Sequence, residues 1–241
     1  MQLHFNSLTD LDIANICLQR TDILFHYSDE GRRIFNQWHN HNKLSPLLSF
    51  VEDNLDIKQA IISDWLATIS EEYNQIKTGF PEDMGFVCDI GCGYALLDLL
   101  LYCDYGSELT LIDIELTKTK KHLFHKEIFA GYSSNVSAYN LLIENKVKAQ
   151  DVHLINPIMN ELPKDKIFNV IFSSLSLGFH YPLKTYEDFI VSTLKMGGSL
   201  IFDHRIGSDD ITMFTKRFEN VRFADSHSKK GRKVYCSGFL G

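Results

Sequence analysis

From residue 8 to about residue 78 the apolar positions follow a helical rhythm. Leu47, Leu48, Val51, Ile57, Ile61, Ile62, Trp65, Leu66 and Ile69 recur near every 3.6 residues, and no strand-like run interrupts them. The segment 79–85, with Gly79, Pro81 and Gly85, breaks that rhythm. Beyond it come short apolar runs at 86–90, 109–113, 152–155, 168–172 and 199–203, each followed by polar or turn residues. Strands buried on both faces of a parallel sheet look like this. The stretches 95–102, 118–131 and 185–194 have the length and apolar spacing of crossover helices. Residues 209–218 read as a further helix. Residues 221–224 and 233–239 then read as two strands joined by a polar loop too short for a crossover, a terminal antiparallel hairpin. The pattern predicts an α/β fold, with a helical accessory region over 1–80 and an α/β domain over 81–241.

Composition narrows the classes of partner. The chain has 241 residues, 44% of them hydrophobic, enough for one larger globular unit with an accessory region. A formal net charge of -7 provides no overall positive field for a phosphate backbone, so nucleic acid is not the expected substrate. The five cysteines, Cys17, Cys88, Cys92, Cys103 and Cys236, are scattered and include no Cys-x-x-Cys pair, against both a disulfide framework and a zinc site. The N-terminus has no basic region followed by an apolar run, and no apolar stretch approaches a membrane span. The expectation is a cytoplasmic protein with reduced cysteines and no membrane partner, and a homo-oligomer is compatible with it. The run Lys229-Lys230-Gly231-Arg232-Lys233 reads as a solvated hairpin loop.

The chemistry is concentrated where the first strand ends. Asp89-Ile90-Gly91-Cys92-Gly93 precedes the helix-like Leu96-Leu97-Asp98-Leu99-Leu100, a strand-to-helix turn of the kind that binds ligands at the carboxyl edge of a sheet. Glycines let the backbone approach a ligand, and the helix start favours polar or anionic groups. A dinucleotide fingerprint would need glycine at Leu96, and a phosphate-binding loop would need Gly-Lys-Ser/Thr; neither is present. Twenty residues beyond Gly93, Asp113 ends the second strand, where a carboxylate can accept both hydroxyls of an unphosphorylated ribose.

At this point the sequence resembles the class I S-adenosylmethionine-dependent methyltransferases, over about residues 84–241. Val-Cys-Asp-Ile-Gly-Cys-Gly-Tyr-Ala at 87–95 is similar to the family's first motif, with Ala95 where a third glycine is usual. Asp113 falls on the family's acidic position, Leu194-Lys195-Met196-Gly197-Gly198 on its turn before the fifth strand, and the hairpin on its terminal pair. The resemblance implies a Rossmann-like, mostly parallel seven-stranded sheet that binds S-adenosylmethionine and releases S-adenosylhomocysteine. Asp89 would then orient the turn or the methionine amino group, Gly91, Cys92 and Gly93 would make room for the methionine part, and Asp113 with Ile114 would hold the ribose. Asn156 would face the adenine, although a turn residue before Pro157 is an equal reading. Ser173 would open the loop that faces the sulfonium.

For the transfer itself the chain must align an acceptor and, for a hydroxyl, remove its proton. His180, in Gly178-Phe179-His180-Tyr181-Pro182, is the first candidate base and His204 the second. Asp203 would have to turn to orient His204, since neighbours on a strand face opposite ways. Trp38, His39 and Tyr181 are the candidate substrate contacts, in segments rich in aromatic and hydrogen-bonding side chains. His39 and His41 are two apart, as on a strand face, but have no carboxylate partners suited to a metal. The fourth strand runs into Ser173-Ser174-Leu175-Ser176 rather than Asn/Asp-Pro-Pro-Tyr/Phe, which disfavours methylation of an exocyclic amine, and the same stretch lacks the acidic groups an aminopropyl transfer needs. The reading is metal-independent O-methylation of a small polar acceptor such as a sugar. A non-catalytic adaptor on the same fold and an RNA methyltransferase are the alternatives.

Overall fold

The computed structural model describes residues 2–41, 43–114, 133–208 and 211–241. Five helices come first: α1 (Asp10–Gln19), α2 (Thr21–Phe25), α3 (Ser28–His41), α4 (Ser45–Glu52) and α5 (Leu55–Lys77). The α1 start is set by Thr9, whose hydroxyl accepts from the Asp12 N–H while the Asp12 carboxylate accepts from the Thr9 N–H at 2.9 Å, a reciprocal cap.

The α/β part follows as β1 (Phe86–Ile90), α6 (Leu96–Tyr105), β2 (Glu108–Ile112), α7 (Asn135–Glu144), β3 (Val152–Ile155), β4 (Phe168–Ser173), α8 (Glu187–Thr193), β5 (Leu194–Arg205), α9 (Thr212–Thr215), β6 (Phe218–Asp225) and β7 (Gly231–Phe239). The strands form one sheet in the order β3-β2-β1-β4-β5-β7-β6. β1 to β5 run parallel, and β7 is antiparallel to both β5 and β6. This is a Rossmann-like α/β fold with a terminal antiparallel hairpin. Its strand order reverses between β1 and β4, and the crevice outside the carboxyl ends of those two strands is where such sheets bind ligands.

β4 is buried at every position, consistent with helices on both sides. One face of the sheet shares a continuous apolar core with the N-terminal helices, in which Ile13, Ile16, Ile61, Trp65 and Ile76 meet Val87, Leu99, Val170 and Phe172. The other face packs Ile171, Leu200 and Phe202 against Phe189 and Ile190 of α8.

Several expectations need correction. The Gly197-Gly198 turn lies inside β5 as a bulge: Phe168 pairs with Leu194 and Val170 with Ser199, so the extra residues loop out with Gly197 at φ +76°. The helix expected at 209–218 shrinks to α9, because Phe218 begins β6 and packs on Phe239 with ring centroids 5.3 Å apart. The third crossover helix begins later, at Glu187. α7 was not foreseen, and the expected helix at 118–131 lies outside the described residues.

The basic run is not wholly a solvated loop. Lys233 lies in β7 opposite Asp203 and is fully buried. Its ammonium donates to Asp203 Oδ2 at 2.8 Å and stands 3.8 Å from Glu72 Oε1. Such a cation is tolerated only because its charge is matched.

Candidate functional site

The turn after β1 is closely held. The Gly91 N–H donates to the Ile112 carbonyl at 2.7 Å, and the Ala95 N–H to the Cys92 carbonyl at 2.9 Å. Gly91 and Gly93 have φ of +91° and +58°, a region that L side chains rarely occupy. A side chain at either would also meet neighbours: a Cβ on Gly91 would lie 2.3 Å from Ser176 Cβ, and one on Gly93 3.0 Å from the Gln19 side-chain oxygen. Conformation therefore favours glycine at both positions, and space requires it at Gly91. Ala95, in place of the third glycine, keeps the left-handed backbone at φ 57°.

Asp113 is brought onto the turn. Its Oδ2 accepts from the Gly93 N–H and its Oδ1 from the Ile114 N–H, both at 2.6 Å. Two residues twenty apart in sequence thus meet through one hydrogen bond. Asp89 is buried beneath them, and its Oδ1 has no donor among the described residues. Burial first, then the negative charge of Asp98, push its carboxyl well above the ordinary range. Cys92 is buried, and its thiol is likewise pushed up by burial.

The loop after β4 forms the other wall. Ser173 is buried, with its hydroxyl donating to the Ile90 carbonyl at 2.6 Å and accepting from the Leu177 N–H at 2.8 Å. Its one donor is thus committed to locking the loop against the first strand. His180 is exposed, its ring edge-on to Phe179 at 4.9 Å. Tyr181 is half-buried, and burial followed by the Asp113 charge raises its phenol pKa. That phenol keeps its proton near neutral pH.

His204 belongs to β5 rather than to the loop beyond it, is largely buried, and has Nε2 3.0 Å from the Ser208 hydroxyl. Asp203 does not orient it. That carboxylate accepts from Lys233, from the Ser226 hydroxyl at 2.6 Å and from the Leu175 N–H at 3.1 Å. At the end of β3, Asn156 is buried and accepts from the Ile158 N–H at 3.1 Å, an Asx turn.

The helical region reaches the site through residues that the sequence reading missed. Gln19 covers Gly93. Asn15 Nδ2 donates to the Tyr94 hydroxyl at 3.4 Å, and Tyr94 packs edge-on to Trp65. Arg20 and the Ser174 hydroxyl both donate to the fully buried Glu72. The signal available was a set of polar residues, Asp12, Asn15 and Gln19, interleaved with the buried apolar positions of α1.

Trp38 and His39, the candidate substrate contacts of the N-terminal region, are ring-packed. They lie on α3, where His39 stacks on Phe35 at 5.4 Å and Trp38 packs with Phe35 against the core. On a helix, His39 and His41 do not share a face as they would on a strand. A cavity of about 360 Å³ on α3 is lined instead by Arg32, Arg33, Asn36, Gln37 and Asn40, among others. Among the described residues no three His, Cys, Asp or Glu side chains are grouped to hold a metal ion, and no helix is long and apolar enough to cross a membrane.

No protein-family model matches this chain, and no curated protein matches it. Solved structures similar to it include the geranyl diphosphate C-methyltransferase of Streptomyces coelicolor A3(2), at 14% identity and a TM-score of 0.46 over 63% of this chain and 51% of that one. The [4+2]-cyclase SpnF is 17% identical, with a TM-score of 0.43 over 58% and 46%. A methyltransferase from Pyrococcus furiosus is 14% identical, with a TM-score of 0.45 over 72% and 83%. The matched region spans about half the length of the first two chains, and with every TM-score below 0.5 no role is carried from these proteins to this one.

Proposed function

We propose that this chain is an S-adenosylmethionine-dependent methyltransferase. The observation that carries the reading is the hydrogen bond from the Gly93 N–H to Asp113, which joins the glycine turn to the second-strand acid beside the point where the strand order reverses. The residues fit the cofactor: two glycines in the turn for its close approach, a carboxylate in place for two ribose hydroxyls, and a buried Asp89 oxygen that lacks a donor among the described residues. When bound, S-adenosylmethionine supplies a methyl group on a positively charged sulfur.

The chain's share of the work is alignment and proton handling. The loop pinned by Ser173 carries Gly178, His180 and Tyr181, and Tyr181 feels the charge of Asp113. Tyr181, held protonated, is suited to donate a hydrogen bond to an acceptor oxygen, and His180, the exposed imidazole, to take the hydroxyl proton. His204 is the weaker base because its Nε2 already faces Ser208. We propose metal-independent O-methylation of a small polar acceptor such as a sugar.

Calorimetric titration with S-adenosylmethionine and S-adenosylhomocysteine tests the cofactor reading. Binding of both is expected, and Asp113→Ala should weaken it about tenfold or more through lost charge-assisted hydrogen bonds. No binding of either at high micromolar concentration would overturn it. Once an acceptor is found, turnover should survive a chelator. His180→Ala should keep cofactor affinity and lower kcat by about 100-fold or more.

A further inference from the structure

Directly under the glycine turn, two carboxyl groups face each other. Asp89 ends β1 and Asp98 lies in the first turn of α6; both are buried, Asp98 completely. They are within hydrogen-bonding reach of one another, and the nearest donor to Asp98 is its own backbone N–H, yet no hydrogen bond of normal geometry reaches either oxygen of Asp98 or Oδ1 of Asp89 among the described residues. Two such groups cannot both be ionised without a cation or a proton between them. The other groups facing Asp89 add negative charge: Asp113 from the end of β2 and Glu72 from α5. The neighbouring Cys88 and Cys92 thiols are kept neutral by burial, and Arg20 and Lys233 are engaged with Glu72 and Asp203.

We infer that Asp89 and Asp98 hold one proton between them when the turn is empty, and that a cationic ligand group seated at Gly91 and Gly93 displaces it to solvent. The inference rests on the cofactor reading, because the α-ammonium of the methionine part is the cation that would arrive there. Asp98 acts through Asp89 and is a positioning residue. Burial raises both carboxyls above the ordinary range, which is why the pair keeps a proton that exposed carboxylates would have lost. The balance is simple: the ligand's fixed positive charge enters, one proton leaves to the buffer, and the pair keeps the same total charge compensation.

Titrating the intact protein with S-adenosylhomocysteine at a series of pH values, in buffers of different ionisation enthalpy, counts the protons released on binding. About one is expected on the acid side of the pair's titration, where affinity falls about tenfold per pH unit, and the count should fall away on its alkaline side. With 5′-methylthioadenosine, which lacks the ammonium, release should vanish. In Asp98→Asn the amide supplies the missing donor, Asp89 stays ionised, and both the release and the pH dependence should be lost while binding persists. The wild-type count needs no variant to fold. Binding of S-adenosylhomocysteine without proton release, or undiminished release from Asp98→Asn, overturns the proton exchange and leaves the cofactor reading standing. No binding at any pH overturns both.

Discussion

At Ala95 the backbone is left-handed, with φ 57° and ψ 26°, immediately before α6 begins. That conformation costs a non-glycine residue about 1–2 kcal/mol, while glycine there gives back about 0.5–1 kcal/mol through the entropy of the unfolded chain. Ala95→Gly should therefore stabilise the protein by up to about 1 kcal/mol in chemical denaturation, and a loss of stability would show that the methyl group packs more usefully than its burial suggests. Asp98 gives a pH signature. Burial raises its carboxyl above the ordinary range in the folded state, so its contribution is fully present below the unfolded value and is lost as pH rises through the folded one. Asp98→Asn should gain stability over the parent as pH rises above the ordinary carboxylate range, read as a Tm difference that widens with pH until the folded group has titrated and then levels off; a constant or narrowing difference over the rising part would contradict this. Asp89, Gly91, Gly93 and Asp113 were legible in the sequence because local backbone geometry and a fixed spacing dictate them. Asp98, Gln19 and Glu72 were not, since a polar residue on an apolar helix declares its purpose only when the partner element is in place.

Among the elements, the loop after β4 is fastened from three sides: Ser173 to β1, Ser174 to Glu72 of α5, and the Leu175 N–H to Asp203 of β5. Asp203 also neutralises the buried Lys233. Removing one partner of a buried ion pair typically costs about 3–5 kcal/mol, whereas replacing both by apolar groups is often nearly neutral. Asp203→Ala should lose about that much in denaturant titration, and adding Lys233→Met should recover most of it; an equal loss in the double variant would mean that the Leu175 and Ser226 contacts, rather than the charge, hold the region. The five parallel strands were readable because double burial leaves an uninterrupted apolar run. β7 was read two residues short, because Gly231, Arg232 and Lys233 carry the signature of a loop while their register with β5 comes from a partner strand. The helical rhythm located the N-terminal region but not its division, which is set by caps such as Thr9 and by breaks such as Arg20, where φ is -126°.

On the scale of the whole molecule, the N-terminal helices and the sheet share one core, and α1 and α5 bring Asn15, Gln19 and Glu72 onto the ligand edge. The helical region therefore packs directly against the glycine turn and the loop after β4. Trp38, singled out for its ring, packs with Phe35 against the core. The proposal as a whole stands on the turn between β1 and α6 being the cofactor seat, and backbone amide resonances report on that turn residue by residue. Titrating isotopically labelled protein with S-adenosylhomocysteine should shift the Gly91, Gly93 and Ile114 amides together, at the same midpoint, ahead of amides in β6 or α3. If those three amides stay in place up to millimolar ligand while the protein remains folded, the glycine turn is not an S-adenosylmethionine site.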